Sequence, residues 1–108
     1  MISLITDNQS RIAALCREFG IHKLEVYGSA TTDRFRSGVS DIDFIVNLGE
    51  YEPGVARRFL RFADALEALL DSRVDLITPE QIKNPYFRYA VDQQRVTIHE
   101  AGSREAAA

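Results

Sequence analysis

The residues of this chain best placed to do chemistry are two aspartates, Asp41 and Asp43, in the run Ser40-Asp41-Ile42-Asp43-Phe44-Ile45-Val46. Side chains along a strand alternate between faces, so residues i and i+2 share one. At a rise of about 3.3 Å per residue, the two Cα atoms would stand about 6.5–7 Å apart. That gap suits a hard cation held between acidic oxygens. Ile42, Phe44 and Val46 would face the other way and anchor the strand in a core. Two carboxylates buried side by side without a cation raise each other's pKa. The pair therefore lies at a solvent-exposed strand end or holds a metal.

Upstream, the apolar run Leu24, Val26, Tyr27 ends abruptly in Gly28-Ser29. A glycine at a strand end lets the backbone turn and come close to a ligand with no Cβ in the way. If a short helix starts near Ser29, its free N–H groups and the serine hydroxyl form a cradle suited to phosphates. A phosphate cradle beside paired carboxylates is the equipment of phosphoryl or nucleotidyl transfer, in which a cation bridges the phosphates and the acidic residues fix the cation.

These residues carry a family likeness. Gly28-Ser29 followed by Ser40-Asp41-Ile42-Asp43, with one more aspartate (Asp75) on a later apolar strand, resembles the nucleotidyltransferase superfamily related to DNA polymerase β. The small size is similar to that of its minimal nucleotidyltransferase (MNT) group, and the likeness spans roughly residues 8–99. It implies that Asp41, Asp43 and Asp75 are the catalytic and metal-binding set for one or two Mg2+ ions. Asp75 would help place a second ion or take the proton of the attacking hydroxyl. It further implies that Gly28, Ser29, Ser40 and Arg36 bind the nucleotide, ATP or another NTP. NMP, most simply AMP, would pass to a hydroxyl acceptor.

MNT-like proteins are commonly paired with a HEPN-family RNase toxin, so the resemblance also implies an antitoxin that adenylylates a tyrosine of such a partner. One departure stands out. Family members often carry a small-Arg-Gly sequence just after the Gly-Ser, and here Thr31-Thr32-Asp33 takes its place. Arg34 and Arg36 remain within reach of a triphosphate or are solvated on a polar loop. A different class of function stays open beside the enzyme: a non-catalytic module that masks its partner through a basic helix face or the Tyr86–Tyr89 region. A stand-alone transferase for a small molecule ranks last, because such enzymes carry a further helical domain.

The elements that must position these residues can be read in order. Residues 2–20 read as one amphipathic helix, with Ile12, Leu15, Cys16 and Phe19 on a stripe and Gly20 as its stop. Thr6, Asp7 and Ser10 are its candidate N-caps. Residues 22–28 form a first strand, and the Asp41–Val46 run a second. Asn47-Leu48-Gly49-Glu50 is a turn, and Pro53 suits the first position of a helix. In that helix Val55, Phe59, Phe62, Leu66 and Leu69 form the core stripe, while Arg57, Arg58 and Arg61 project to solvent. Arg73–Ile77 is a third strand, where Asp75 incurs a desolvation cost unless something compensates. After the turn at Asn84-Pro85, a short helix carries Tyr86, Phe87 and Tyr89, with Phe87 in the core and at least one tyrosine outside. Arg95–His99 is a final edge strand with Val96 and Ile98 on one face. His22 and His99 are expected at the surface, and Cys16 in the core as an inert thiol.

Helices alternate with strands, which predicts an α/β domain. Its central mixed sheet has about four strands, and helices pack mainly on one side in a nucleotidyltransferase-like fold. Residues 1–100 form a single domain, and residues 101–108 read as a frayed tail. The 108 residues, 45% hydrophobic and 27% charged, suffice for one core. The formal charge of −3 argues against stand-alone nucleic-acid binding. No apolar run is long enough to span a bilayer, no signal pattern opens the chain, and the lone cysteine cannot form an internal disulfide, all of which fits the cytoplasm. The sequence sets no oligomeric state.

Overall fold

The computed structural model of the chain describes residues 1–102. Along it run α1 (Ser3–Asp7), α2 (Gln9–Glu18), β1 (Lys23–Tyr27), β2 (Ile42–Asn47), α3 (Val55–Leu70), β3 (Val74–Ile77), α4 (Pro85–Gln94) and β4 (Val96–Glu100). Single 3-10 turns occupy Gly28–Thr31 and Pro79–Gln81. The strands form one four-stranded sheet in the order β3-β2-β1-β4. β1 is antiparallel to both neighbours, whereas β2 and β3 are parallel. Parallel neighbours need a long crossover, and α3 supplies it.

The period of two sorts the sheet into two faces. Ile42, Phe44 and Val46 of β2 join Leu24, Val26 and Ile98 in a core with Ile5, Ile12, Cys16, Phe62, Leu66 and Leu70. The opposite face is smaller: Tyr27 and Ile45 pack with Ile82 and with Val91 of α4. Three helices thus cover one face and α4 the other, so the expected α/β architecture with its mixed sheet is present. Asn84 caps α4 by accepting from the N–H groups of Tyr86 and Phe87, and Pro85 follows it.

Several expectations need correction. The first helix is not continuous over residues 2–20 but breaks at Asn8, whose side-chain amide donates to the Leu4 carbonyl at 2.9 Å. An amide that bonds the backbone locally competes with helical continuation. Neither Thr6, Asp7 nor Ser10 caps a helix; Asn8 holds the N-cap position, without a side-chain cap bond. Gly20 does end α2, at φ +66. Its N–H donates to Arg17 O, and the Ile21 N–H donates to Cys16 O, closing a Schellman motif. Pro53 lies before α3; Gly54, at φ +91, is the cap and Val55 the first helical residue.

Arg58 does not project into solvent. Its guanidinium donates to the carbonyls of Phe19 and Gly20 at 3.1 Å and of Leu48 at 3.2 Å, tying α3 to two loops. His99 is buried at 4% exposure in β4, whereas Val96 is exposed. The β1–β4 register shifts between Leu24 and Glu25, so an alternation read from β4 alone fails to place both residues. Phe87 is a rim residue, its ring edge-on to Tyr27 at 6.1 Å, and Tyr86 and Tyr89 are exposed as expected. Asp75 is exposed, which removes the desolvation cost expected for it. Burial pushes the Cys16 thiol up to about 12, consistent with an inert core residue. Most of the tail, residues 103–108, lies outside the described residues. Among the described residues no helix is long and apolar enough to cross a membrane.

Candidate active site

β1 ends at Tyr27, and Gly28, at φ +76, turns the chain into the single 3-10 turn Gly28–Thr31. The short helix expected near Ser29 is therefore present. Two threonines serve the turn itself: Thr31 Oγ1 donates to Gly28 O and Thr32 Oγ1 to Ser29 O, each at 2.8 Å. That gives the departure from small-Arg-Gly a local structural role. Ser29 is half-buried. The first N–H groups of such a turn lack intrahelical partners.

Pairing across the sheet sets the acidic residues. Tyr27 of β1 pairs with Asp43 of β2, and Asp43 with Asp75 of β3. Residues paired across neighbouring strands share a face, so Tyr27, Asp43 and Asp75 form one row at a spacing of about 4.8 Å per strand. The Asp43 carboxylate also occupies the space that a side chain on Gly28 would take. Burial, then Asp75, then Asp41 push the Asp43 carboxyl up to about 6. Burial, then Asp43, then Asp75 push the Tyr27 phenol up to about 12. The row is thus a patch of unbalanced negative potential.

Asp41 stands one residue before β2. Its Oδ1 pairs with Arg73 Nε at 3.0 Å, and Arg73 Nη2 donates to Val39 O at 2.7 Å. Ser40 accepts the Arg36 N–H on its Oγ at 3.0 Å, which closes the loop before Asp41. Ser40 also lines a cavity of about 380 Å3 with Ser37, Gly38, Asp71, Ser72 and Arg73. The Arg34 and Arg36 side chains are exposed on that loop. The structure therefore gathers Gly28, Asp43 and Asp75, and sets Ser40 and Asp41 near Arg73, with the Asp41 charge still acting on Asp43.

The fit to a divalent cation can be tested on these groups. Among the described residues no three His, Cys, Asp or Glu side chains converge as a metal cluster. The donor chemistry nevertheless suits magnesium: hard carboxylate oxygens, with Asp43 raised by like charges that a cation would cancel. Asp41 is the member already engaged by a positive charge, the guanidinium of Arg73. Its pair with Arg73 leaves the two side chains 49% and 67% exposed. Such a pair is worth only about 0–1 kcal/mol, so a cation can take the carboxylate from it.

The nucleotidyltransferase domain family matches residues 11–98. The chain belongs to that family. A candidate protein adenylyltransferase of Methanocaldococcus jannaschii is 27% identical over 84 residues, 78% of this chain and 83% of its own. The solved structure of a candidate minimal nucleotidyltransferase, 27% identical, superposes with a TM-score of 0.67 over 85% of this chain and 90% of its own. A chain from the structure of a tri-AMPylated Shewanella oneidensis HEPN toxin in complex with MNT antitoxin shares the fold. It has a TM-score of 0.59, 22% identity, and coverage of 94% of this chain and 76% of its own. This chain is a nucleotidyltransferase.

The structure adds neighbours to this candidate site that were not singled out from the sequence. Tyr27 could have been found, because it immediately precedes Gly28 and shares a face with the acidic row. Arg73 could not, because its meeting with Asp41 follows only from the pairing of Ile42 with Val74.

Proposed function

We propose that this nucleotidyltransferase transfers AMP from ATP, with magnesium, to a tyrosine hydroxyl of a HEPN-family RNase toxin in the cytoplasm, and so acts as an antitoxin. The observation that carries the site assignment is the row of Asp43 and Asp75 on neighbouring strands beside the Gly28–Thr31 turn. The M. jannaschii relative and the AMPylated toxin of the Shewanella oneidensis complex support the reaction and the partner.

In this reading Gly28 and Ser29 seat the phosphates, with Ser40 and Arg36 closing over them from the loop. Asp41, Asp43 and Asp75 would hold magnesium, which supplies charge neutralisation of the phosphates when bound. The acceptor oxygen attacks the α-phosphorus in line, the bond to the β-phosphate oxygen breaks, and pyrophosphate leaves. The exposed Asp75 carboxylate takes the acceptor proton. The protein's part is positioning and electrostatics, as in phosphoryl transfer generally.

Calorimetric titration of ATP, with and without magnesium, into the protein and into an Asp41→Ala, Asp43→Ala double variant tests the site. Magnesium-dependent binding that is lost in the double variant is expected; equal binding by the variant would remove these residues from the site. Mass spectrometry of a HEPN-family toxin, after incubation with this protein and ATP, tests the acceptor through a mass gain of one AMP.

A further inference from the structure

The pairing of Arg73 with Asp41 is built into the sheet. Ile42 pairs with Val74 in the parallel β2–β3 ladder, and the Ile42 N–H donates to Arg73 O at 3.0 Å. Asp41 and Arg73 are the residues immediately before that pair, so register alone sets them side by side. The guanidinium engages two groups at once: Nε holds Asp41 Oδ1 at 3.0 Å and Nη2 holds Val39 O at 2.7 Å. Val39 also closes a turn by donating its N–H to Arg36 O at 3.0 Å. Arg73 is thus fastened to the loop that leads into the acidic row, and its positive charge is paired with Asp41, one of the three carboxylates of the proposed set.

We propose that Arg73 is a positioning residue that acts through Asp41, pairing with its carboxylate until a divalent cation takes it. This rests on the reading of Asp41, Asp43 and Asp75 as a cation site. A guanidinium and a divalent ion cannot share the inner oxygens of one carboxylate at full strength, so the two compete for Asp41. The contact with Val39 O keeps the displaced arginine at the mouth of the site, where phosphate oxygens would be its next partner.

Competition makes a prediction that a merely structural strap does not. If Arg73 only stiffened the loop, its removal would leave cation affinity unchanged or weaken it. If it competes, removal tightens binding. The experiment is titration of Mn2+ alone, followed by electron paramagnetic resonance, into the intact wild-type chain and its Arg73→Ala, Arg73→Lys and Arg34→Ala variants. Circular dichroism confirms that each variant is folded. An exposed pair of this kind corresponds to about a two- to five-fold tightening in Arg73→Ala. Arg73→Lys, which keeps the charge without the two-pronged grip, falls between wild type and Arg73→Ala. Arg34→Ala removes a charge of the same sign from the loop that Arg73 grips, without touching Asp41, and stays close to wild type.

Unchanged or weaker Mn2+ binding in Arg73→Ala overturns the proposal. Equal tightening in Arg34→Ala also overturns it, because a general field effect then suffices. Absence of Mn2+ binding in every variant, wild type included, overturns both this proposal and the cation-site reading. Binding that is present but indifferent to Arg73 overturns this proposal alone.

Discussion

A Cβ placed on Gly28 would stand 2.6 Å from Oδ2 of Asp43, nearer than such atoms approach one another. The turn that forms the candidate phosphate seat and the carboxylate that faces it are therefore packed without space for even a methyl group. Gly28 also adopts φ +76, a region that costs other residues about 1–2 kcal/mol. Gly28→Ala should displace Asp43 and lower nucleotide transfer about a hundred-fold, the scale of a misplacement of about 1 Å. Steady-state kinetics alongside a thermal melt would separate that loss from unfolding.

Asp43 also makes a prediction about pH and stability. The folded protein keeps its proton up to about pH 6, whereas the unfolded chain releases it near 3.8. Between those values the folded state binds more protons, so stability falls as pH rises through the window, and the penalty is complete above it. Asparagine carries no such penalty. With solvent screening allowed for, Asp43→Asn should stabilise the metal-free protein by about 1 kcal/mol at pH 8 and by close to nothing at pH 3.5. Urea denaturation at the two pH values measures the difference. Transfer activity should disappear.

Helix α4 is clamped over the site face by a charged triad. Arg95 donates to both oxygens of the buried Glu25, at 2.9 and 2.7 Å, and to Asp92 at 2.7 Å. Arg95→Ala would leave Glu25 in the sheet without its partner, at a cost of about 2–3 kcal/mol once the partial exposure of Arg95 is considered. A fall in the denaturant midpoint at neutral pH, absent in Glu25→Gln, Arg95→Met combined, is the expected signature.

The three arginines on α3 should respond unequally. Arg58→Ala removes charge-assisted hydrogen bonds to three carbonyls and should cost about 1.5–3 kcal/mol. Arg57→Ala and Arg61→Ala, at exposed positions, should stay within about 0.5 kcal/mol of wild type. Thermal melts of the three variants make the comparison.

Period and punctuation made much of this fold legible. The two-residue spacing of Asp41 and Asp43 located β2 and its core face, and the stripe from Val55 to Leu69 located α3. Gly20 and Asn84-Pro85 marked helix ends through chemistry confined to a few residues. What escaped depends on partners remote in sequence. Arg58 sits on the polar side of its helix, but loop carbonyls from Phe19, Gly20 and Leu48 arrive there only after folding. His99 looked terminal and is buried by the β1–β4 pairing. The break at Asn8 was missed for the opposite reason, because one amide bonding its own backbone outweighs the apolar periodicity on either side.

Strand β3 closes one end of the sheet order, and its outer edge pairs with no strand among the described residues. An open edge with the sequence Val74-Asp75-Leu76-Ile77 is a template for pairing with another chain, and the carboxylate of Asp75 is what discourages it. Beside its proposed catalytic role, Asp75 is placed where a charge discourages self-association. A neutral substitution made to stop chemistry would also leave a sticky four-residue edge, and inactivity from aggregation would imitate inactivity from a missing base. Asp75→Glu keeps the charge on the edge while moving the oxygens, so it tests the chemistry without exposing the protein to that hazard.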